Sequence, residues 1–432
     1  MSSIQLLKKL QIGEHVVASV VLVLLVVQFG LAADQGGFFR PQSTWIFGAS
    51  LLLIGVATMR ASSKVMSFTI PYVALGVLWW LSVTSVNQRM DFLPLGASVT
   101  ALGATYAGTS VLSEHQRLWL WRALSTVFSL VVVVGVLAMG VRSTQWAFEG
   151  VSQWRLALPG DYPNVAGVLA GAVGLFAATR AEGDYDTLVT AMATLALLAT
   201  QSRAAWIGTA AAAVLLLRRG RLHAGPPVSF GLLGGLLGGL VCIAWSRRPS
   251  VVSSLAAVAV TVVPLLIIRH RSKASPRLSL PTRWVSAIVL CGVAMALPML
   301  VRRVDLGSDR GHLRAWHGAL VEFFHHPLLG VGFDAPISIG GGRFVYFAHN
   351  EYLQVMAATG AIGVVCLLGA LWRMRRALIS SVTARSLAVV PLVSGAFDYT
   401  WHVPVVGVMF GCLFALAMRS EAHGEPGVTL SE

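Results

Sequence analysis

The chain has 432 residues, of which 56% are hydrophobic and only 12% charged, and its mean hydropathy is +0.74. Soluble domains carry about 25% charged residues, so this composition cannot clothe a water-exposed surface. That excludes the string of about three soluble domains that such a length would otherwise suggest. The net charge of +14, from 32 Lys+Arg against 18 Asp+Glu, combined with this apolarity, points to a polytopic membrane protein and away from a nucleic-acid binder.

The N-terminal stretch MSSIQLLKKLQIGEH leads into an apolar run with no small-residue cleavage site after it, so the first span is expected to stay in place. Apolar runs of spanning length then centre on residues 15–33, 44–59, 68–86, 93–112, 119–141, 164–179, 187–201, 204–217, 228–245, 251–268, 284–301, 352–371, 386–399 and 403–418. Several are short, and the expected fold is an all-α polytopic membrane protein with 12–14 transmembrane helices in a single integral-membrane domain, 1–432. Cys242, Cys291, Cys366 and Cys412 each lie inside such a run with no CxxC spacing, which predicts buried thiols and no disulfide or metal cage.

Cations tend to collect in cytoplasmic loops. With the N-terminus inside, twenty of the Lys and Arg fall in inside loops, including all four lysines (Lys8, Lys9, Lys64, Lys273) and the cluster Arg373, Arg375, Arg376. Both termini are therefore expected in the cytoplasm. Of the outside twelve, Arg302, Arg303, Arg310, Arg314 and Arg343 crowd one long segment, 302–350, which the sorting rule does not require. A second outside segment, 142–163, carries Trp146, Trp154 and Tyr162, rings suited to a membrane interface. The run GLLGGLLGGL around Gly234, Gly235, Gly238 and Gly239 has the spacing of close helix packing.

Within the long segment, residues 309–326 (DRGHLRAWHGALVEFFHH) read as an amphipathic helix. Leu313, Trp316, Leu320, Phe323 and Phe324 share a stripe expected to be buried, and Arg310, Arg314 and His317 share a neighbouring one. Such a helix suits either a lipid headgroup surface or an anionic substrate. Pro327 and the glycines of PLLGVGF end it. After the loop SIGGGRFVYFAHN, Asn350 is placed to cap the next helix, with Glu351 in its first turn. That sets His349 at the helix mouth, an imidazole able to take up a proton or simply a surface group. Arg203, in TQSRAAWIG, sits between two short apolar runs at the outer face, where an arginine must snorkel or be paired.

Two further clusters invite a metal reading. Asp184-Tyr185-Asp186 has the form of a metal–diphosphate motif, but sidedness places it in the cytoplasm, and an acidic loop is the plainer reading. His312, His317, Glu322, His325 and His326 scatter around their helix and do not converge on one ion.

Four stretches in order, DYPNVAGVLAG (161–171), TQSRAAW (200–206), RAWHGALVEFFHHPLLGVGF (314–333) and HNEYLQVMAATGAIG (349–363), resemble the O-antigen ligase and O-antigen polymerase superfamily of bacterial envelope glycosyltransferases. The HNEYLQ stretch after the PLLGVG turn is the most specific of them. Asp161 and Tyr162 depart from the Asn-Pro-Asn form associated with the family, which leaves the role of Asn164 open. The resemblance covers roughly the second half of the chain.

The resemblance implies a GT-C-like enzyme of the inner membrane that needs no cofactor and works on the periplasmic side. Its donor would be O-antigen linked to undecaprenyl diphosphate, and its acceptor a sugar hydroxyl of lipid A-core or, in a polymerase, the growing glycan. It maps the family's loop histidine onto His349 and its membrane-level arginine onto Arg203, with Arg302, Arg303, Arg310, Arg314 and Asn350 as further substrate-binding candidates. A base for the incoming hydroxyl and arginines for the departing diphosphate make chemical sense of these residue types. A transporter of the lipid-linked glycan is the rival class, although the chain has no internal repeat. Asp398 is the only acidic residue near a bilayer-embedded position late in the chain. The basic outside segment favours the ligase over the polymerase.

Overall fold

The computed structural model describes residues 3–33, 40–86, 94–150, 153–157, 162–180, 183–222, 226–272, 306–332 and 335–422. Among these, helices dominate: α1 (Ser3–Ala33), α2 (Arg40–Thr58), α3 (Ser63–Val86), α4 (Pro94–Ser110), α5 (Glu114–Val141), α6 (Pro163–Arg180), α7 (Asp184–Ala199), α8 (Arg203–Arg218), α9 (Pro226–Trp245), α10 (Val251–Ser272), α11 (Leu306–His325), α12 (Glu351–Ala377), α13 (Val382–Gly395) and α14 (Pro404–Ala422). The strands are two short antiparallel hairpins, β1 (Ala147–Glu149) with β2 (Trp154–Leu156) and β3 (Ile337–Ser338) with β4 (Phe344–Val345). The expected spans match this order closely; the run at 284–301 lies outside the described residues, as do Cys291, Arg302 and Arg303.

Four stretches are long and apolar enough to cross a membrane among the described residues: Val16–Ala33, Glu114–Val141, Val228–Trp245 and Glu351–Ser380. Shorter apolar helices run over Ser63–Trp79, Val251–Val262, Val382–Gly395 and Pro404–Met418. Their outward faces expose apolar side chains. Along α5, for example, Val127, Leu130 and Val134 are exposed while Phe128, Val132 and Val136 are buried, the pattern of a helix with one face in protein and the other in lipid. The chain is an all-α polytopic membrane protein.

Contacts group the residues into two units, the first comprising 1–122, 365–385 and 401–432, the second 123–364 and 386–400. In the first, α4 packs against α2, α3 and α14, and a buried Gln28 donates to Ser50 Oγ at 2.7 Å between α1 and α2. Cys412 is buried in α14, as expected of a thiol in an apolar run.

In the second unit α7 lies against α6 and α9, and α9 against α10. The glycine run of α9 makes this possible: Gly235 faces the Ala191 carbonyl of α7, while Gly234 and Gly238 face Thr261 of α10, with no room for a Cβ on either side. Where lipid supplies no hydrophobic drive for helices to associate, such close backbone approach supplies the packing.

The most informative irregularity is in α12, which is broken at Gly360 (φ 60°, ψ −161°). The segment 327–332 docks on the break. Val331 N–H donates to the Ala357 carbonyl at 3.0 Å and Gly332 N–H to that of Ala358 at 2.9 Å; Ala361 N–H donates to Pro327 O at 2.8 Å and Ile362 N–H to Leu328 O at 3.3 Å. A broken helix in an apolar setting persists only if its freed groups find partners, and this loop supplies them. The two stretches PLLGVGF and TGAIG, far apart in role by sequence, are thus one structural feature.

Candidate active site

The site is built where the mouth of α12 meets the residues after α13. Asn350 caps α12 as expected, its Oδ1 accepting from Leu353 N–H at 3.0 Å, while its Nδ2 donates to the Ala396 carbonyl at 2.8 Å. One side chain therefore starts the helix and ties it to the loop that follows α13. Tyr352 adds a second tie, its hydroxyl donating to Leu392 O at 2.8 Å. His349, just before the cap, has φ 50°, a left-handed backbone that costs a non-glycine residue about 1–2 kcal/mol. It is held there from both sides: Trp316 Nε1 of α11 donates to the His349 carbonyl at 3.4 Å, and Ala348 N–H donates to Gln354 Oε1 at 2.7 Å.

This backbone turns the His349 ring toward Asp398. His349 Nδ1 lies 3.3 Å from Asp398 Oδ1; the histidine side chain is 31% exposed and the aspartate 4%. A carboxylate can only accept, so the contact assigns the proton to Nδ1 and leaves the Nε2 lone pair open. Asp398 is further held by the Tyr162 hydroxyl at 2.6 Å, by Asn164 Nδ2 and by Tyr399 N–H at 2.9 Å. A buried carboxylate with this many donors is a fixed acceptor and not a mobile one.

Rings close the rest. Tyr399 is stacked between Tyr162 (centroids 4.7 Å apart) and Phe347 (4.3 Å), and it tilts onto His349 at 5.1 Å. On the other side the His312 ring of α11 lies flat on His349, 4.6 Å away and within 9° of parallel. Burial first, and then the Asp398 charge, push the Tyr162 hydroxyl well above its ordinary pKa; the same causes push Tyr399 up to about 12. Both phenols stay protonated and able to donate throughout the physiological range.

Asn164 is oriented by a residue the sequence reading passed over. Arg155, in β2, donates from Nη2 to Asn164 Oδ1 at 3.0 Å and from Nε to the Thr200 carbonyl at 2.7 Å. Its direction comes from strand alternation: Trp154 and Leu156 point into the core, so Arg155 points the other way. Trp154 and Tyr162 were expected at a membrane interface, yet Trp154 is buried, its N–H donating to Ser246 O and its carbonyl accepting from Gln201 Nε2, and Tyr162 is spent on Asp398. A hairpin buries alternate residues whatever the compartment it faces, which a composition argument does not register.

The candidate arginines are distributed as follows. Arg203 is the exposed first residue of α8, whose N-terminus is capped by Ser202. The same turn is tied toward the site by Arg155 at Thr200 and by Ser394 Oγ, which donates to Ala204 O at 3.1 Å. Arg310 lies in the first turns of α11, and Arg314 is exposed one turn further on. Arg314 is set about 200° around the helix from His312, on the opposite side from the one that meets His349.

α11 packs on the protein through small residues. Leu313, Leu320 and Phe324 of the apolar stripe are exposed, and the core is made instead by Ala315 and Ala319 with Ile337, Ala348 and Ala357. Small residues win that face because Gly318 passes so close to the Ser338 carbonyl that a Cβ would collide with it. Of the metal readings, Asp184-Tyr185-Asp186 forms the first turn of α7 and not a loop. Acidic groups favour a helix N-terminus, and Asp186 is buried 3.8 Å from Arg180 Nε while Tyr185 shares hydrogen bonds with Ser125 and Thr126. No group of three or more His, Cys, Asp or Glu among the described residues could hold a metal ion.

Residues 188–368 match the family model of O-antigen ligase. This stretch contains Arg203, α11, His349 and the break in α12 at Gly360. No curated protein matches the chain.

Proposed function

From residues 188–368 as a segment of the O-antigen ligase and polymerase superfamily, we propose that this protein transfers an O-antigen glycan from undecaprenyl diphosphate to a sugar hydroxyl of lipid A-core, on the periplasmic side of the inner membrane. The observation that carries this reading is the His349–Asp398 pair, with Nδ1 engaged and Nε2 open. The acceptor oxygen attacks the anomeric carbon as its proton passes to His349 Nε2. The bond from that carbon to the diphosphate oxygen breaks, undecaprenyl diphosphate leaves, and direct displacement inverts the centre. A positioned base of this kind is worth about 10²–10⁴-fold. The charge growing on the diphosphate is assigned to Arg203, with Arg302, Arg303 and Arg310 as the further arginines the sequence offers for it, since guanidinium donors stabilise such charge. Asp398 is a positioning residue: it fixes the imidazole tautomer, and Tyr162, Asn164 and Arg155 fix Asp398.

The test is transfer between purified lipid-linked glycan and lipid A-core, with the lipopolysaccharide ladder of a null strain alongside. Loss of all long O-antigen, with lipid-linked polymer accumulating, supports the ligase; a core bearing a single repeat unit would make the protein a polymerase. His349→Ala is expected to fold and bind donor but not transfer. Unimpaired glycan translocation by that variant, with no transfer by wild type, would make it a transporter. Activity is expected to survive EDTA, and its loss there would sink the metal-free mechanism.

A further inference from the structure

The side of α11 turned away from His349 carries a groove of about 480 Å³, lined by Leu313, Arg314, His317, Gly318, Ser338 and Gly340 among others. This is within the range of about 300–1,000 Å³ usual for small-molecule sites. Its polar wall is cationic or neutral: the Arg314 guanidinium, the His317 imidazole and Ser338, with Arg343 exposed at the far end of the Gly340–Gly342 turn. Beside it, Leu313, Leu320 and Phe324 stand 58%, 37% and 71% exposed. At 100° per residue these three fall within about 40° of one another and next to His317. The helix thus offers a cationic cup edged by an apolar rail, with Arg314 of the cup about 160–200° around the helix from the machinery, His312 on the His349 ring and Trp316 on the His349 carbonyl.

We propose that this groove is a binding site for an anionic membrane phospholipid, its phosphate taken by Arg314 and His317 and its acyl chains lying along Leu313, Leu320 and Phe324. Charge complementarity selects the headgroup, and burial of the rail supplies the adhesion that charge alone would not. A free anion would leave the rail in water, and a neutral zwitterionic lipid would bring its own cation against Arg314. Because the groove opens on the side of α11 away from His349, the phosphate it holds is not the reacting one. Lipid seated there fixes the helix whose other face grips His349. This site is independent of which glycan the protein transfers.

The experiment uses the full-length protein in neutral detergent with phosphatidylglycerol bearing a diazirine on one acyl chain, and maps the crosslinked peptides. Labelling of the lipid-facing stretch of α5 around Val127, Leu130 and Val134 serves as the internal standard for general lipid contact and for correct folding. Label is expected on residues 306–325, displaced by unlabelled phosphatidylglycerol but not by phosphatidylcholine or inorganic phosphate. In the double variant Arg314→Gln/His317→Gln it should fall at least about tenfold relative to α5, since loss of even one of the two charge-assisted hydrogen bonds is worth that much. Leu313→Ser/Phe324→Ser keeps the charges and should lose the label as well. Equal displacement by phosphatidylcholine, displacement by phosphate alone, or unchanged labelling of either double variant overturns the proposal. So does displacement by undecaprenyl diphosphate at concentrations below those of phosphatidylglycerol, which would make the groove part of the donor site.

Discussion

Replacing Asp398 by Asn exchanges one carboxylate oxygen for an NH₂ group and changes almost nothing in shape. Oδ1 serves His349 Nδ1 and Tyr399 N–H, while Oδ2 serves Asn164 Nδ2 and the Tyr162 hydroxyl. If the new amide keeps its oxygen toward His349, its NH₂ faces Asn164 Nδ2. Asn164 cannot turn over without losing Arg155, which holds its Oδ1. If the amide turns the other way, NH₂ faces Tyr399 N–H and His349 Nδ1, and the imidazole must move its proton to Nε2, which removes the base. Either orientation strands a buried donor, at about 1–3 kcal/mol. The second also removes general-base catalysis, worth about 10²–10⁴-fold. The measurement is transfer rate at saturating donor and acceptor, beside the thermal midpoint in detergent. We expect a folded variant with a midpoint lowered by a few degrees, a rate at least about a hundredfold down, and donor binding near wild type. A folded Asp398→Asn with transfer within about twofold of wild type would refute the role given to the pair.

Gly360→Ala asks a methyl group to enter the break in α12, where it would collide with the Leu328 backbone at a φ/ψ essentially reserved for glycine. Strain of about 1–3 kcal/mol and overpacking of about 1–3 kcal/mol should lower the thermal midpoint markedly. Gly369→Ala in the same helix, with nothing within 4 Å of the added carbon, should leave it unchanged or raised; equal effects at the two positions would dismiss the docked-loop account. Arg155→Lys should be nearly as poor in transfer as Arg155→Gln, because one ammonium cannot span Asn164 Oδ1 and the Thr200 carbonyl as the guanidinium does; recovery by lysine would show that only charge matters there. For the alkaline limit, the unfolded chain loses tyrosine protons near pH 10, whereas Tyr162 and Tyr399 keep theirs. Their contribution to stability is thus full below pH 10 and lost as the pH rises through the raised values, about 12 for Tyr399. Tyrosinate absorbance should lose two late-titrating groups in Tyr162→Phe/Tyr399→Phe, and an unchanged late-titrating fraction in that variant, beyond the loss of two ordinary tyrosines, would contradict the buried ring stack.

The sequence by itself determined the membrane class, the positions of the apolar helices among the described residues, the helix at 309–326, the Asn350 cap and the place of His349 at a helix mouth. These follow from local quantities: hydropathy over one span, periodicity over a few turns, and a side chain that bonds its own backbone three residues on. It also brought Asp398 to notice, as an isolated acidic residue, without assigning it a partner. Tertiary structure alone decided that partner, because the contact joins residues 49 positions apart, and it chose Tyr162, Asn164 and Arg155 to hold it, residues whose spacing carries no period. It also decided which face of α11 meets protein: a hydrophobic stripe shows which residues dislike water but not whether lipid or protein covers them, and the close approach of Gly318 to Ser338 turned the small residues inward. The break at Gly360 belongs to the same class. The glycines of PLLGVG read only as a helix stop until the loop is seen supplying the hydrogen bonds that the broken helix gives up.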